Sequence, residues 1–142
     1  MRGLLLVTAL VAVLMGCGGG DSARSSKSAD GVRATAREFL NDFRDSKFGD
    51  ACDLMTPAAQ TAMVKQAQVD PGSKNSNCPG LLALARGFVG KDTLTKAGDQ
   101  LDKAKITVTG DTATSPPVGS DDTASRYRYI KGKWFIASDN GQ

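Results

Sequence analysis

Tyr127, Tyr129 and Trp134 stand close together near the end of the chain and are its foremost candidates for lining a ligand pocket. A tyrosine hydroxyl next to a carboxylic acid can stabilise an enolate oxygen while a base moves a proton. The aspartates available for such work are Asp50, Asp53, Asp99 and Asp102, and nothing in the sequence places any of them beside the tyrosines. Aromatic residues on strands also serve simply as core. The chain holds no histidine, which excludes a Ser-His-Asp triad, a histidine base and a histidine metal site. No phosphate-cradling G-x-x-x-x-G-K-[ST] loop and no calcium loop occurs, so no cofactor and no metal is expected.

Interleaved with these aromatics run Arg126, Arg128, Lys131 and Lys133. Lys plus Arg number 18 against 15 for Asp plus Glu, a net charge of +3. That balance is too mild to point to a nucleic-acid partner. A solvated strand face is the simpler reading, with anionic lipid headgroups a weak further partner at about 1 kcal/mol per basic residue. The three cysteines, Cys17, Cys52 and Cys78, take their chemistry from the compartment the protein occupies.

The N-terminus bears on that compartment. Met1-Arg2-Gly3 precede a 12-residue apolar stretch, Leu4 to Met15. About 20 apolar residues are needed to cross a bilayer, so this run is short for a permanent span and fits a secretory signal. Its end, Leu14-Met15-Gly16-Cys17, resembles the lipobox of bacterial lipoproteins. Leu14, Gly16 and Cys17 match; Met15 is a less usual occupant. The resemblance implies a signal peptide over residues 1–16, a diacylglyceryl group on Cys17 and a mature chain of 126 residues held outside the cytoplasmic membrane. Two acyl chains suffice for stable anchoring. The competing reading is an ordinary signal peptide with an incidental Cys17. Residues 18–29, GGGDSARSSKSA, show no apolar periodicity and are expected to form a flexible tether with a reach of about 19 Å.

The mature chain has 29 apolar side chains larger than alanine, a thin supply for its size. Domains short of core commonly add a cross-link. With Cys17 acylated, as the lipobox resemblance implies, Cys52 and Cys78 remain, and an oxidising compartment favours a disulfide between them. Closing a loop of roughly 27 residues is worth about 3.5 kcal/mol in the chain-entropy picture. A redox-active pair and a metal site are the alternatives; the absence of C-x-x-C spacing and of histidine counts against both.

The elements that must position these residues follow from periodicity. Val32, Ala36, Phe39, Leu40 and Phe43 form one helical face, with Ser28 or Asp30 as cap. Gly49 is expected to break that helix and Asp50 to cap a short second one through Met55. Pro57 suits the first turn of a third helix, from Thr56 to about Ala67. Residues 70–77 read as a turn-rich loop. A fourth helix from Pro79 would bury Leu81, Leu82, Leu84, Ala85 and Phe88. After Gly90 the pattern is read as alternating: strands over 105–109 and 112–115, then a hairpin of 125–130 with 133–138. If the Lys131-Gly132 turn has two residues, Tyr129 faces Trp134, Tyr127 faces Ile136 and Arg128 faces Phe135. A three-residue loop would shift that register.

Helices followed by an antiparallel meander make an α+β fold, N-terminal helices on a curved antiparallel sheet of about four strands. The order of Phe39-Leu40, Gly49-Asp50-Ala51-Cys52, Leu54-Met55-Thr56-Pro57, Cys78 with Leu81-Leu82-Ala83-Leu84, Val108-Thr109-Gly110-Asp111-Thr112-Ala113 and Gly132-Lys133-Trp134 resembles small exported lipoproteins of the NTF2-like (cystatin-like α+β cone) superfamily. The resemblance implies one domain over residues 30–142 and a concave sheet face lined by Tyr127, Tyr129 and Trp134. It also implies a binding or interaction module without catalysis, whose partner is a small apolar ligand or another exported protein. The alternative is an isomerase or dehydratase using Tyr127 or Tyr129 with an aspartate; a third is a subunit that dimerises through an apolar patch around Phe135. Replacing Cys17 by serine is expected to release the protein from membranes. A Cys17→Ser protein that still fractionates with them would sink the lipoprotein reading.

Overall fold

The structure, a computed structural model, describes residues 19–68, 76–119 and 123–138. The signal segment, Cys17 and most of the 70–77 loop lie outside these residues. Among the described residues six helices precede four strands: α1 (Gly19–Arg24), α2 (Ala29–Arg44), α3 (Phe48–Asp53), α4 (Pro57–Ala67), α5 (Cys78–Phe88), α6 (Lys91–Lys103), β1 (Thr107–Thr109), β2 (Thr112–Ser115), β3 (Ser125–Ile130) and β4 (Lys133–Ala137). The strands form an open antiparallel meander in the order β1-β2-β3-β4. The fold is α+β.

Helix α2 is the axle of the molecule. Ser28 caps its start by accepting from the Gly31 amide, and Asp30 in the first turn complements the positive end of the helix. Its buried stripe includes Val32, Thr35, Ala36 and Phe43, with Phe39 and Leu40 half-buried beside it. Ser46, at φ 61°, takes the left-handed conformation that turns the chain into α3. Gly49 therefore does not break the helix: it sits inside α3, which begins at Phe48, and Asp50 is an exposed first-turn residue rather than its cap. Thr56 and Asn77 cap α4 and α5 through their side chains, each with proline in the first turn of the helix that follows.

Two clusters make up the core. One joins Val32 and Ala36 of α2, Leu101 of α6, and Ala113, Tyr127 and Trp134 of the sheet. The other joins Phe43, Ala51, Cys52, Cys78, Leu82 and Leu94. Cys52 and Cys78 form a disulfide there, linking α3 to the start of α5. Leu40 packs against both clusters.

Helix α6 occupies a stretch expected to lead into strands. It has few apolar residues, but Leu94, Ala97 and Leu101 lie at i, i+3 and i+7 and are its buried face. Arg33 of α2 holds its far end, donating to the Leu101 and Ala104 carbonyls at 3.3 and 3.1 Å. The Leu101 carbonyl also accepts the Ala104 amide, and the Ala104 carbonyl is an acceptor that the end of the helix leaves to a side chain. Because α6 supplies an apolar wall, α5 buries only Leu81 and Leu82 along with Cys78. Leu84, Ala85 and Phe88, expected in the core, are exposed, Phe88 at 91%.

The β3–β4 hairpin turns through Lys131 and Gly132, both at positive φ (49° and 83°), as a two-residue turn of the kind that matches strand twist requires. The register is the one a two-residue turn dictates: Tyr129 opposite Trp134, Tyr127 opposite Ile136, Arg128 opposite Phe135. The outer edge of β4 is closed. The Ile136 amide donates to the Leu54 carbonyl and the Ile136 carbonyl accepts from Thr56, each at 2.8 Å, while the Trp134 carbonyl accepts from Arg24 and Thr35. Closing an edge in this way removes a template for unwanted strand pairing.

The stretch expected to be a free tether is instead part of the fold. Residues 19–24 form α1, and Arg24 is buried, 3.5 Å from Glu38 and over the ring of Phe135. The next residues strap the hairpin: Tyr129 donates to the Ser25 carbonyl at 2.7 Å, and the Trp134 indole donates to the Ser26 carbonyl at 2.8 Å. Lys27 pairs with Asp111. Backbone carbonyls that composition alone assigns to water are taken up by two aromatic donors, which offsets the entropy of ordering small polar residues. The folded unit thus begins well before residue 30.

A Cβ on Gly31 would lie 1.9 Å from the Ser26 oxygen and 2.9 Å from the Trp134 ring, whereas one on Gly49 would meet nothing within 4 Å. Gly31→Ala is therefore expected to cost about 1–3 kcal/mol by overpacking, and Gly49→Ala to stabilise by up to about 1 kcal/mol through helix propensity. Urea denaturation of the two variants checks both signs.

Candidate functional site

Alternation along the strands gives the sheet two faces. The inner face carries Val108, Ala113, Tyr127, Tyr129, Trp134 and Ile136 under α2 and α6. The outer face carries threonines on β1 and β2, Arg126 and Arg128 on β3, and Lys133 and Phe135 on β4.

Under α2 the inner face does not close completely. A cavity of about 200 Å³ lies between Ala36, Phe39 and Leu40 of α2 and Tyr127 and Ile136 of the sheet. Met55, Leu101, Val118 and Ser125 complete its wall. It is apolar except at one spot, where the side chains of Ser125 and Tyr127 hydrogen-bond to each other. Tyr127 is only 4% exposed. Burial pushes its phenol up to about 12, the Ser125 hydrogen bond pulling weakly the other way. At neutral pH the site therefore offers a neutral hydroxyl pair within an apolar surround.

The other two sequence candidates sit elsewhere. Trp134 is fully buried as core, its ring 5.2 Å from that of Tyr129 in an edge-on arrangement. Tyr129 spends its hydroxyl on the Ser25 carbonyl. Of the three aromatics, Tyr127 is the one that lines the cavity.

No aspartate or glutamate lines the cavity among the described residues. Asp50 and Asp53 are exposed on α3; Asp99 and Asp102 are exposed on α6, Asp102 paired with Arg37. The carboxyl whose proton affinity is raised is Asp42, at the far end of α2, by burial first and then by the nearby charge of Asp50. No residue pattern in the sequence singles it out, because the effect arises from two helices meeting. Among the described residues there is no group of three or more His, Cys, Asp or Glu able to hold a metal, and no helix long and apolar enough to cross a membrane.

Of the wall residues only Tyr127 is a pocket candidate from sequence; Ala36, Phe39, Leu40 and Ile136 are expected on buried faces, while Ser125, Met55, Leu101 and Val118 are given no place there. Leu101 had a signal, the 94-97-101 spacing of α6. Met55 and Val118 had none, since both lie outside helices and their place depends on how the chain crosses the sheet ends.

Comparison with known proteins finds no matching protein-family model, no matching curated protein and no matching solved structure. The functional reading therefore rests on the chain's own chemistry.

The buried phenol has a measurable consequence. A phenol that ionises near 10 in the unfolded chain and near 12 in the folded one contributes its stability in full below pH 10 and loses it as pH rises from 10 to 12. The loss amounts to about 3 kcal/mol. Thermal unfolding followed over that alkaline range should show the fall in the wild type, and Tyr127→Phe should remove this component.

Proposed function

We propose that this chain is an exported lipoprotein, anchored by a diacylglyceryl group on Cys17, whose NTF2-like α+β domain is a non-catalytic binding module for a small apolar ligand. The observation that carries the binding reading is the cavity under α2: apolar walls and one neutral hydroxyl pair, Ser125 with Tyr127. Small-molecule sites have this composition, a hydrophobic lining with a few polar groups that fix orientation. An apolar cavity of about 150 Å³ takes up benzene, so a volume of about 200 Å³ suits a ligand somewhat larger than one ring. The ligand is uncharged, because a charge buried there would have no opposite partner. Its single polar group meets Tyr127.

The lipid anchor is supported by the lipobox-like Leu14-Met15-Gly16-Cys17 and by the disulfide of the other two cysteines, which suits an oxidising compartment. The helix-first order and the four-stranded meander are compatible with an NTF2-like domain. The isomerase or dehydratase alternative calls for an aspartate base beside Tyr127 or Tyr129, and the candidate aspartates lie on exposed helical surfaces instead.

Native mass spectrometry of protein extracted from its own membranes is expected to show a small bound molecule. Leu40→Trp, which fills the cavity from α2, should lose it while keeping the disulfide. A wild-type mass equal to that of the acylated chain alone would defeat the binding reading.

A further inference from the structure

The outer face of the sheet points away from α2 and α6 and is bordered by Arg24 of α1 at Phe135 and by Pro57 and Ala58 of α4 near Ile130 and Ala137. Among its strand positions are Arg126, Arg128 and Lys133, and none is Asp or Glu. Arg126 and Arg128 are exposed two residues apart on β3, opposite Thr114 and Thr112. Ile130, 38% exposed, and Phe135 add apolar surface among the cations.

The position of α1 gives this face a neighbour. Arg24, at the end of α1, lies with its guanidinium carbon 5.5 Å from the centre of the Phe135 ring, a residue of the outer face. A freely jointed tether over residues 18–29 would allow the domain any orientation. With α1 packed on β4 and Ser25 and Ser26 bonded to the hairpin, this segment is instead fixed to the domain.

We propose that the outer face of the sheet lies against the anionic headgroups of the membrane in which Cys17 is anchored. This rests on the lipid-anchor reading above and adds an orientation to it. The arginines supply planar donors for phosphate oxygens, threonine hydroxyls lie beside them, and Phe135 and Ile130 meet the headgroup boundary. The cavity under α2 then lies on the side of the sheet away from the bilayer surface.

The full-length acylated protein, reconstituted into vesicles of phosphatidylcholine alone or of equal parts phosphatidylcholine and phosphatidylglycerol, tests this. A dye is placed at Thr112→Cys on the outer face or at Lys91→Cys at the start of α6, with an energy-transfer acceptor on the headgroups. Transfer from position 112 should exceed that from position 91 in the anionic vesicles. The excess should vanish in phosphatidylcholine, at high salt, and in R126Q/R128Q, whose fold is checked by the intact disulfide and by Trp134 emission. Equal transfer from the two positions, with protein retained on the vesicles, overturns the orientation while leaving the anchor standing. So does an excess that persists in neutral vesicles or in R126Q/R128Q. Protein that does not stay with either vesicle overturns the anchor, and the orientation with it.

Discussion

The architecture depends on how one indole is seated. Trp134 is fully buried, and three parts of the chain converge on it. Its ring nitrogen bonds the Ser26 carbonyl, its own carbonyl accepts from Arg24 and Thr35, and its ring edge lies against the missing Cβ of Gly31. A buried indole N–H needs a partner, and the partner it finds is the segment before α2. The indole thereby fixes the strap and the close approach of α2, while the backbone carbonyl of the same residue helps to close the outer edge of β4. With few large apolar residues in the chain, concentrating these tasks in Trp134 gives the sheet end a core that volume alone would not supply.

Much of this was legible in the sequence because local rules and tertiary packing agree. The 32-36-39-40-43 stripe, the cap at Ser28, the prolines in the first turns of α4 and α5, and the turn around Lys131-Gly132 each follow from short-range chemistry. Where the reading differs from the structure, the deciding partner is distant in sequence. Residues 18–29 look like a linker because the bonds that seat Ser25 and Ser26 come from donors more than 100 positions away, Tyr129 and Trp134. Leu84 and Phe88 look buried because α5 has an apolar face, yet α6 takes the place beside α2 that this face would have filled. The candidate site shows the same division. Tyr127 could be named from its strand and the α2 stripe from its periodicity, but Leu101, Met55 and Val118 join them in one wall only through packing between distant parts of the chain.

The sheet separates two kinds of chemistry that share β3. Tyr127 points into an apolar space where a hydroxyl stays neutral, while Arg126 and Arg128 on either side of it point out to solvent. Period-two alternation is enough to build both. A single-residue slip of the β3 register would bury two guanidiniums and expose the phenol, so the hairpin turn protects the chemistry of both faces at once.

Leu40 is the side chain that packs against both core clusters, and it also forms part of the cavity wall. Its neighbours on one side are the sheet residues around Trp134, and on the other the helices tied by Cys52 and Cys78. The two halves of this small domain are joined along α2 and α6, which give buried residues to both clusters, and Leu40 sits where the two meet. Any molecule occupying the cavity would press on Leu40 as it binds, and its stabilisation would reach the disulfide-bonded helices through that shared contact.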